Sequence, residues 1–269
     1  APALAPVKCN GLVIFQQRLL AVEENTQRIR LTEAISEGDT TVTWKPTWFT
    51  PNSNSDFVTQ LLAGWAELTI FGPYSTEIWY YTGVEETETD VPFARLEGAA
   101  IERGLGAPDS ALVAFHTYWW IDQERRVVRL EGRTPQVISL PIDRQLRAPS
   151  TVADARGFHM HRWIIWTFPT DNVTWAYDTV TDSWAKWARW DESTAQYNRY
   201  WGQDCVYISE WSKHFVAGHM NHEILISDPS LVTDLGAPVR LLYRSAHFDH
   251  GTLNPKRSNR LFLRLKRGV

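Results

Sequence analysis

Three pairs of histidines are the first residues in this sequence whose type and spacing suggest chemistry. His159-Met-His161 puts two imidazoles on one face if the segment is a strand, because side chains alternate there. His219-Met-Asn-His222 and His247-Phe-Asp-His250 add two further close pairs. A zinc or iron centre needs three or four ligands converging on one point. These pairs lie in different stretches of chain and their spacing forces no convergence. They read as loop and surface histidines, and neither a metal nor another cofactor is expected.

Carboxylates offer a second chemistry. Asp122, Asp178, Asp182, Asp204 and Asp228 lie near strand ends, and a glycosidase needs two carboxyl groups about 5 to 10 Å apart. Turns favour Asp for its backbone hydrogen bonds, so the pattern is unspecific. No Gly-x-Ser-x-Gly elbow, phosphate loop or dinucleotide fingerprint appears. Asn172-Val-Thr174 fits a glycosylation acceptor, a pattern common by chance. Cys9 and Cys205, the only two cysteines, make neither a disulfide framework nor a zinc cage and read as free, buried thiols. No catalytic residue is expected.

Aromatic residues are the unusual feature: 14 Trp, 11 Phe and 9 Tyr in 269 residues, enough to build a large core. Trp184, Trp187 and Trp190 sit three apart and would serve as a stacking platform for sugars or bases. Packing between neighbouring sheets explains them equally well, as does an interface between subunits, where Trp and Arg tend to anchor.

These residues must be positioned by a repeat. Five apolar runs align: Arg18-Leu-Leu-Ala-Val22, Ala66-Glu-Leu-Thr-Ile-Phe71, Thr117-Tyr-Trp-Trp-Ile121, Arg162-Trp-Ile-Ile-Trp166 and Lys213-His-Phe-Val-Ala217. After a turn, second runs begin at Arg28, Thr76, Arg125, Val173 and Glu223, about 48 to 50 residues apart. Gly72 to Ser75, Asp122 to Glu124 and Pro169 to Asn172 supply hairpin chemistry. Weaker strands precede four of the pairs, at Leu12 to Phe15, Ala111 to Phe115, Phe158 to Met160 and Cys205 to Ile208. Three or four strands per unit, repeated five times, predict an all-β propeller over residues 1–236. A β-sandwich is the competitor, but it has no reason to repeat at blade length.

The regularity breaks near Gly236. Residues 237–269 read as an extra β-hairpin, or the start of a further β domain, with runs at Val239 to Tyr243 and Arg260 to Leu265. Six of the twelve residues from Lys256 to Arg267 are basic, which suits a guarded sheet edge or a contact surface; Arg260, Arg264, Lys266 and Arg267 are the candidate contacts. The net charge of −4 argues against a basic DNA-coating protein. No apolar run is long enough to span a bilayer and no signal peptide is recognisable, so no membrane partner is expected. The chain starts with Ala rather than Met, which reads as a processed or trimmed piece of something longer.

In order along residues 9 to 230, short motifs give the chain a family likeness. They are Gly11 through Arg30 with Asn25, then Phe71-Gly-Pro-Tyr-Ser-Thr-Glu-Ile-Trp79 running to Gly83. Gly104-Leu-Gly-Ala-Pro-Asp-Ser110, Ile138-Ser139, Phe168-Pro169, Thr174-Trp-Ala-Tyr-Asp178 and Trp184 follow. In these the chain resembles the packaged-DNA stabilisation proteins of short-tailed phages, the tail-hub or nozzle component below the portal. The resemblance implies a β-propeller in a homo-oligomeric ring, a hexamer, at the head-to-tail junction of the virion. Its neighbours would be the portal or adaptor, other tail proteins and packaged double-stranded DNA, with assembly in the host cytoplasm and no catalytic residues. Phe71, Gly72, Ser75, Thr76, Glu77 and Trp79 form the most distinctive motif, expected as a tight hairpin. Thr76 and Ile78 would share one of its faces, Glu77 and Trp79 the other. The alternative is a carbohydrate-binding or glycoside-hydrolysing propeller, drawing on the tryptophans and turn carboxylates.

Overall fold

The computed structural model describes residues 6, 8–51, 54–64, 66–84, 87, 89–220, 223–231, 233–239 and 242. Five antiparallel sheets follow one another along the chain. Sheet 1 holds β1 (Cys9–Phe15), β2 (Arg18–Glu23), β3 (Ile29–Thr32) and β4 (Trp44–Phe49). Sheet 2 holds β5 (Gln60–Gly64), β6 (Glu67–Phe71), β7 (Thr76–Tyr81) and β8 (Phe93–Arg95). Sheet 3 holds β9 (Leu112–Ala114), β10 (Thr117–Ile121), β11 (Val127–Glu131) and β12 (Thr134–Val137). A short helix, α1 (Asp143–Arg147), leads to sheet 4: β13 (Arg156–Met160), β14 (Trp163–Phe168), β15 (Val173–Asp178), β16 (Ser183–Asp191) and β17 (Gln196–Arg199). Sheet 5 holds β18 (Gly202–Ile208), β19 (Lys213–Gly218) and β20 (Ile224–Ser227). A two-residue pair, β21 (Thr233–Asp234) with β22 (Ala237–Pro238), follows.

Within each sheet the strands run as a meander in chain order, and the first strands lie side by side: β1 against β5, β5 against β9, β9 against β13, β13 against β18. The sheets are the blades of a β-propeller. Four apolar layers separate the five sheets. Phe15, Leu20, Ile29 and Phe49 meet Leu61, Leu68 and Trp79 between sheets 1 and 2. Phe71 and Ile78 meet Tyr118 and Trp120 between sheets 2 and 3. Trp119 and Ile121 meet Ile164, Trp166 and Tyr177 between sheets 3 and 4. Phe158, Met160 and Ile165 meet Val216, Cys205 and Leu225 between sheets 4 and 5.

This layering explains the apolar runs. A strand with a sheet on each side buries both faces, so it reads as continuous rather than alternating hydrophobicity. In β10, Trp119 turns to sheet 4 and Trp120 to sheet 2, each at most 2% exposed. At the ends of the row alternation returns: in β1, Leu12 and Ile14 are exposed while Phe15 is buried.

The five aligned runs became β2, β6, β10, β14 and β19, and the second runs became the third strand of each sheet. In sheet 3 that strand starts at Val127 rather than Arg125, because Arg125 takes a left-handed φ of 63° and still belongs to the turn. Strand β5 and the outer strands β4, β8, β12, β16 and β17 were not singled out in the sequence. Outer strands are covered less, as the alternating exposure of β12 shows, and so carry weaker apolar patterns. Cys9 is exposed, not buried, since it opens the first strand of the row at a register irregularity. Most of the proposed hairpin over 237–269, with Arg260, Arg264, Lys266 and Arg267, lies outside the described residues.

Candidate functional site

Residues 71–79 form the expected hairpin. Phe71 pairs with Thr76, and Gly72 donates its N–H to the Ser75 carbonyl at 2.8 Å. Asp56 holds the turn by accepting from the Tyr74 N–H and the Ser75 hydroxyl, both at 3.1 Å. Gly72 is needed there because a Cβ would sit 2.8 Å from the Asp56 Cβ. Thr76 and Ile78 are buried, with Ile78 facing sheet 3; Trp79 packs towards sheet 1 and donates its indole N–H to buried Glu77 at 2.8 Å.

The connector from Ile101 to Ser110 stitches this hairpin to the next two sheets. Thr76 and Ile101 exchange backbone hydrogen bonds at 2.9 Å, and the Thr76 hydroxyl donates to the Arg103 carbonyl. Leu105 donates to the Gly72 carbonyl and Gly106 to the Ile121 carbonyl. The backbone of Gly104 lies so close to Pro73 and Tyr74 that a Cβ would collide with them. Its carbonyl accepts the Trp120 indole N–H at 3.1 Å. Ser110 closes the joint: its hydroxyl accepts from Ile121 N–H, and its carbonyl accepts the Trp166 indole N–H of sheet 4. The same device recurs at Ile138-Ser139, where the Ser139 hydroxyl accepts from Val127 N–H and the Ile138 carbonyl accepts from the Trp184 indole.

Asp122, Asp178 and Asp228 are spent on turns, whereas Asp204 lies within β18 and accepts from the Cys205 N–H at 2.7 Å. Fully buried Asp122 accepts from the N–H groups of Glu124 and Arg126 and pairs with Arg103. Asp178 accepts from Val180 N–H and pairs with Arg162 at 2.9 Å, and Asp228 accepts from Ser230. Asp182 accepts from the Tyr177 hydroxyl; burial first, and this carboxylate second, push the phenol up to about 12. In an open depression between sheets 3 and 4, Arg129 pairs with Glu131 and stacks over Trp119.

The three tryptophans do not make one platform. Trp184 packs on Trp166 and Tyr177 in the layer between sheets 3 and 4. Trp187 packs on Trp163 and Tyr200 in the layer between sheets 4 and 5. Trp190 meets Tyr197 across β16 and β17, edge to face.

The histidines are the surprise. His159, on β13, and His161, in the turn after it, are half-buried rather than surface residues. Both meet His214 of β19: ring centroids are 4.2 Å apart for His161 and 6.4 Å for His159. The Cys205 Sγ lies 3.6 Å from His214 Nδ1. His214 stands inside the apolar run from Lys213 to Ala217, where its spacing matches no other histidine. The available signal was the hairpin register, which sets Tyr207 opposite His214 and Cys205 opposite Val216. Burial, then Asp204, pushes the thiol up to about 12, while burial and the other two imidazoles push His214 down. Burial therefore disfavours the thiolate form of Cys205. Among the described residues, no three His, Cys, Asp or Glu side chains are arranged to hold a metal ion. His219 instead lies 2.8 Å from the Trp201 carbonyl, and His222, His247 and His250 lie outside the described residues.

Fold and site thus define an all-β protein of propeller blades in which several polar side chains, such as Ser110 and Trp184, fasten one blade to the next. The chain matches no family model and no curated protein. Among solved structures it is similar to the computationally designed Ika8 protein, at 9% identity over 80% of this chain and 69% of that one, with a TM-score of 0.42. PorZ, a bacterial surface component of the type-IX secretion system of Porphyromonas gingivalis, matches at 10% identity over 84% of this chain and 27% of its own, TM-score 0.40. Myxococcus xanthus glutaminyl cyclase matches at 10% identity over 82% and 91%, TM-score 0.38.

Proposed function

We propose that this chain is a structural phage virion protein of the head-to-tail junction. It is a tail-hub or nozzle subunit that assembles as a homo-oligomeric ring, helps retain packaged DNA and conducts it at ejection. One observation carries the reading. Among the residues that give the family resemblance, Gly72, Gly104, Gly106, Ser110, Ile138 and Trp184 take part in contacts between successive sheets. A likeness that includes such joints supports a shared architecture. The work is then structural rather than catalytic, and the ring abuts the portal or adaptor and other tail proteins.

The charge agrees with this role. Repeating a subunit around an axis multiplies its lumen charge, so a basic lining would trap phosphate through counterion release and hinder exit. A net charge of −4 is compatible with that requirement. Electron microscopy of the purified protein should show closed rings, and a salt titration should show only weak duplex binding at ~150 mM salt. Nanomolar, sequence-specific duplex binding under those conditions would recast the chain as a nucleic-acid-binding module. Monomers that capture glycans on an array would instead establish the carbohydrate-binding alternative.

A further inference from the structure

Three imidazoles come together where sheets 3, 4 and 5 meet. The His159 ring lies 6.1 Å from that of Phe115 in the β9–β10 turn and 6.4 Å from that of His214, centroid to centroid. His161 lies against His214 at 4.2 Å and hydrogen-bonds through Nε2 to the Ser227 hydroxyl of β20 at 3.0 Å. The Tyr207 ring of β18 lies 4.9 Å from that of His214, and the Cys205 Sγ lies 3.6 Å from its Nδ1. The three rings therefore bridge β13 to β19 and β20, across the layer that holds sheet 5 on sheet 4.

We propose that this cluster is a pH-sensitive joint: protonating its imidazoles loosens sheet 5 from sheet 4. Two imidazolium ions cannot share a half-buried contact without mutual repulsion, and each loses hydration there. The charged and titratable neighbours do not offset this. On β13 and its turn, Arg156 lies 4.0 Å from Asp109 and Arg162 is paired with Asp178 at 2.9 Å. From β18 come Asp204, Cys205 and Tyr207, with Asp204 acting on the thiol. Lys213 precedes His214 on β19 and acts on Asp228 at the end of β20. From sheet 3 come Phe115 and, next to it, His116.

Burial pushes His159 below the ordinary imidazole value, and burial followed by His161 and His159 pushes His214 below it. The unfolded or detached state then binds more protons than the packed state, so stability rises with pH. The joint is fully stable above the ordinary value of ~6.5 and weakens as pH falls through it, levelling off below the depressed folded-state values. Each unit of depression corresponds to about a tenfold change in the opening equilibrium.

Hydrogen exchange on the intact protein between pH 7.5 and 5.5, corrected for intrinsic rates, reads this locally. Amides of β18, β19 and β20 should lose protection as the pH falls, while those of β2 and β6 stay constant. The variants H161Q and H214Q should flatten that pH response. Where a variant does not fold, nuclear magnetic resonance titration of the wild-type rings decides, with His159 and His214 expected to titrate below ~6.5. An equal loss of protection in β2 and β6, an undiminished pH response in both variants, or ordinary ring titrations would each overturn the proposal.

Discussion

Removing the indole of Trp79 should loosen the layer between sheets 1 and 2 by an amount the structure sets. The side chain is 5% exposed and its ring lies 5.2 Å from that of Phe49. A buried Trp removes up to ~250 Å² from water. At ~25 cal/mol per Å² that is worth about 6 kcal/mol, an upper bound because the unfolded chain already buries some of this area. Large-to-small core substitutions of Trp cost ~3 to 5 kcal/mol, and Trp79→Ala is expected in that range. Trp79→Phe keeps most of the apolar bulk but loses the indole donor to Glu77, and should cost ~1 to 3 kcal/mol. Tyr74→Ala, in the exposed turn of the same hairpin, should stay within ~0.5 kcal/mol of wild type. Urea unfolding monitored by circular dichroism measures all three. The midpoint for Trp79→Ala should fall with little change in slope, and Tm should drop by roughly 6 to 20 °C. A Trp79→Ala protein within ~1 kcal/mol of wild type would refute the claim that this layer holds the first two sheets together.

The remaining expectations concern the joints and the thiols. Gly104→Ala drives a Cβ into the Pro73–Tyr74 backbone and should cost ~1 to 3 kcal/mol by the same urea assay, whereas the open position Gly132 tolerates a Cβ sterically and suffers only from its φ of 60°. Ser110→Ala leaves the Ile121 N–H without its acceptor, a loss of ~1 to 3 kcal/mol, and should lower hydrogen-exchange protection in β10 before β2. Cys205, with its thiol pushed up to about 12, should hold only about one ten-thousandth thiolate at pH 8 and alkylate slowly. Exposed Cys9 should react first, and peptide mapping after brief iodoacetamide treatment that found equal labelling would contradict the placement of Cys205.

The repeat was legible in the sequence because it is enforced locally. A strand between two sheets must be apolar on both faces, so Thr117-Tyr-Trp-Trp-Ile121 and Trp163 to Phe168 announce themselves without tertiary knowledge. Turn chemistry is equally local, since Gly72-Pro73 reverses the chain wherever it stands and Asp122 caps its own turn through amides two and four residues on. Other features depended on what lies opposite. Cys9 and Cys205 have the same side chain, and their different exposure follows from what packs against β1 and β18. Trp184 and Trp187 look alike in a row, yet three positions apart on β16 they face opposite sides of the sheet, and the neighbouring sheets decide what each meets there. The histidine cluster is the clearest case. His161 and His214 are 53 positions apart in the numbering and belong to different repeats, so their ring contact exists only once sheet 5 is laid on sheet 4. Periodicity reports the burial a residue needs, while the partner that provides it is chosen by the stacking of whole sheets.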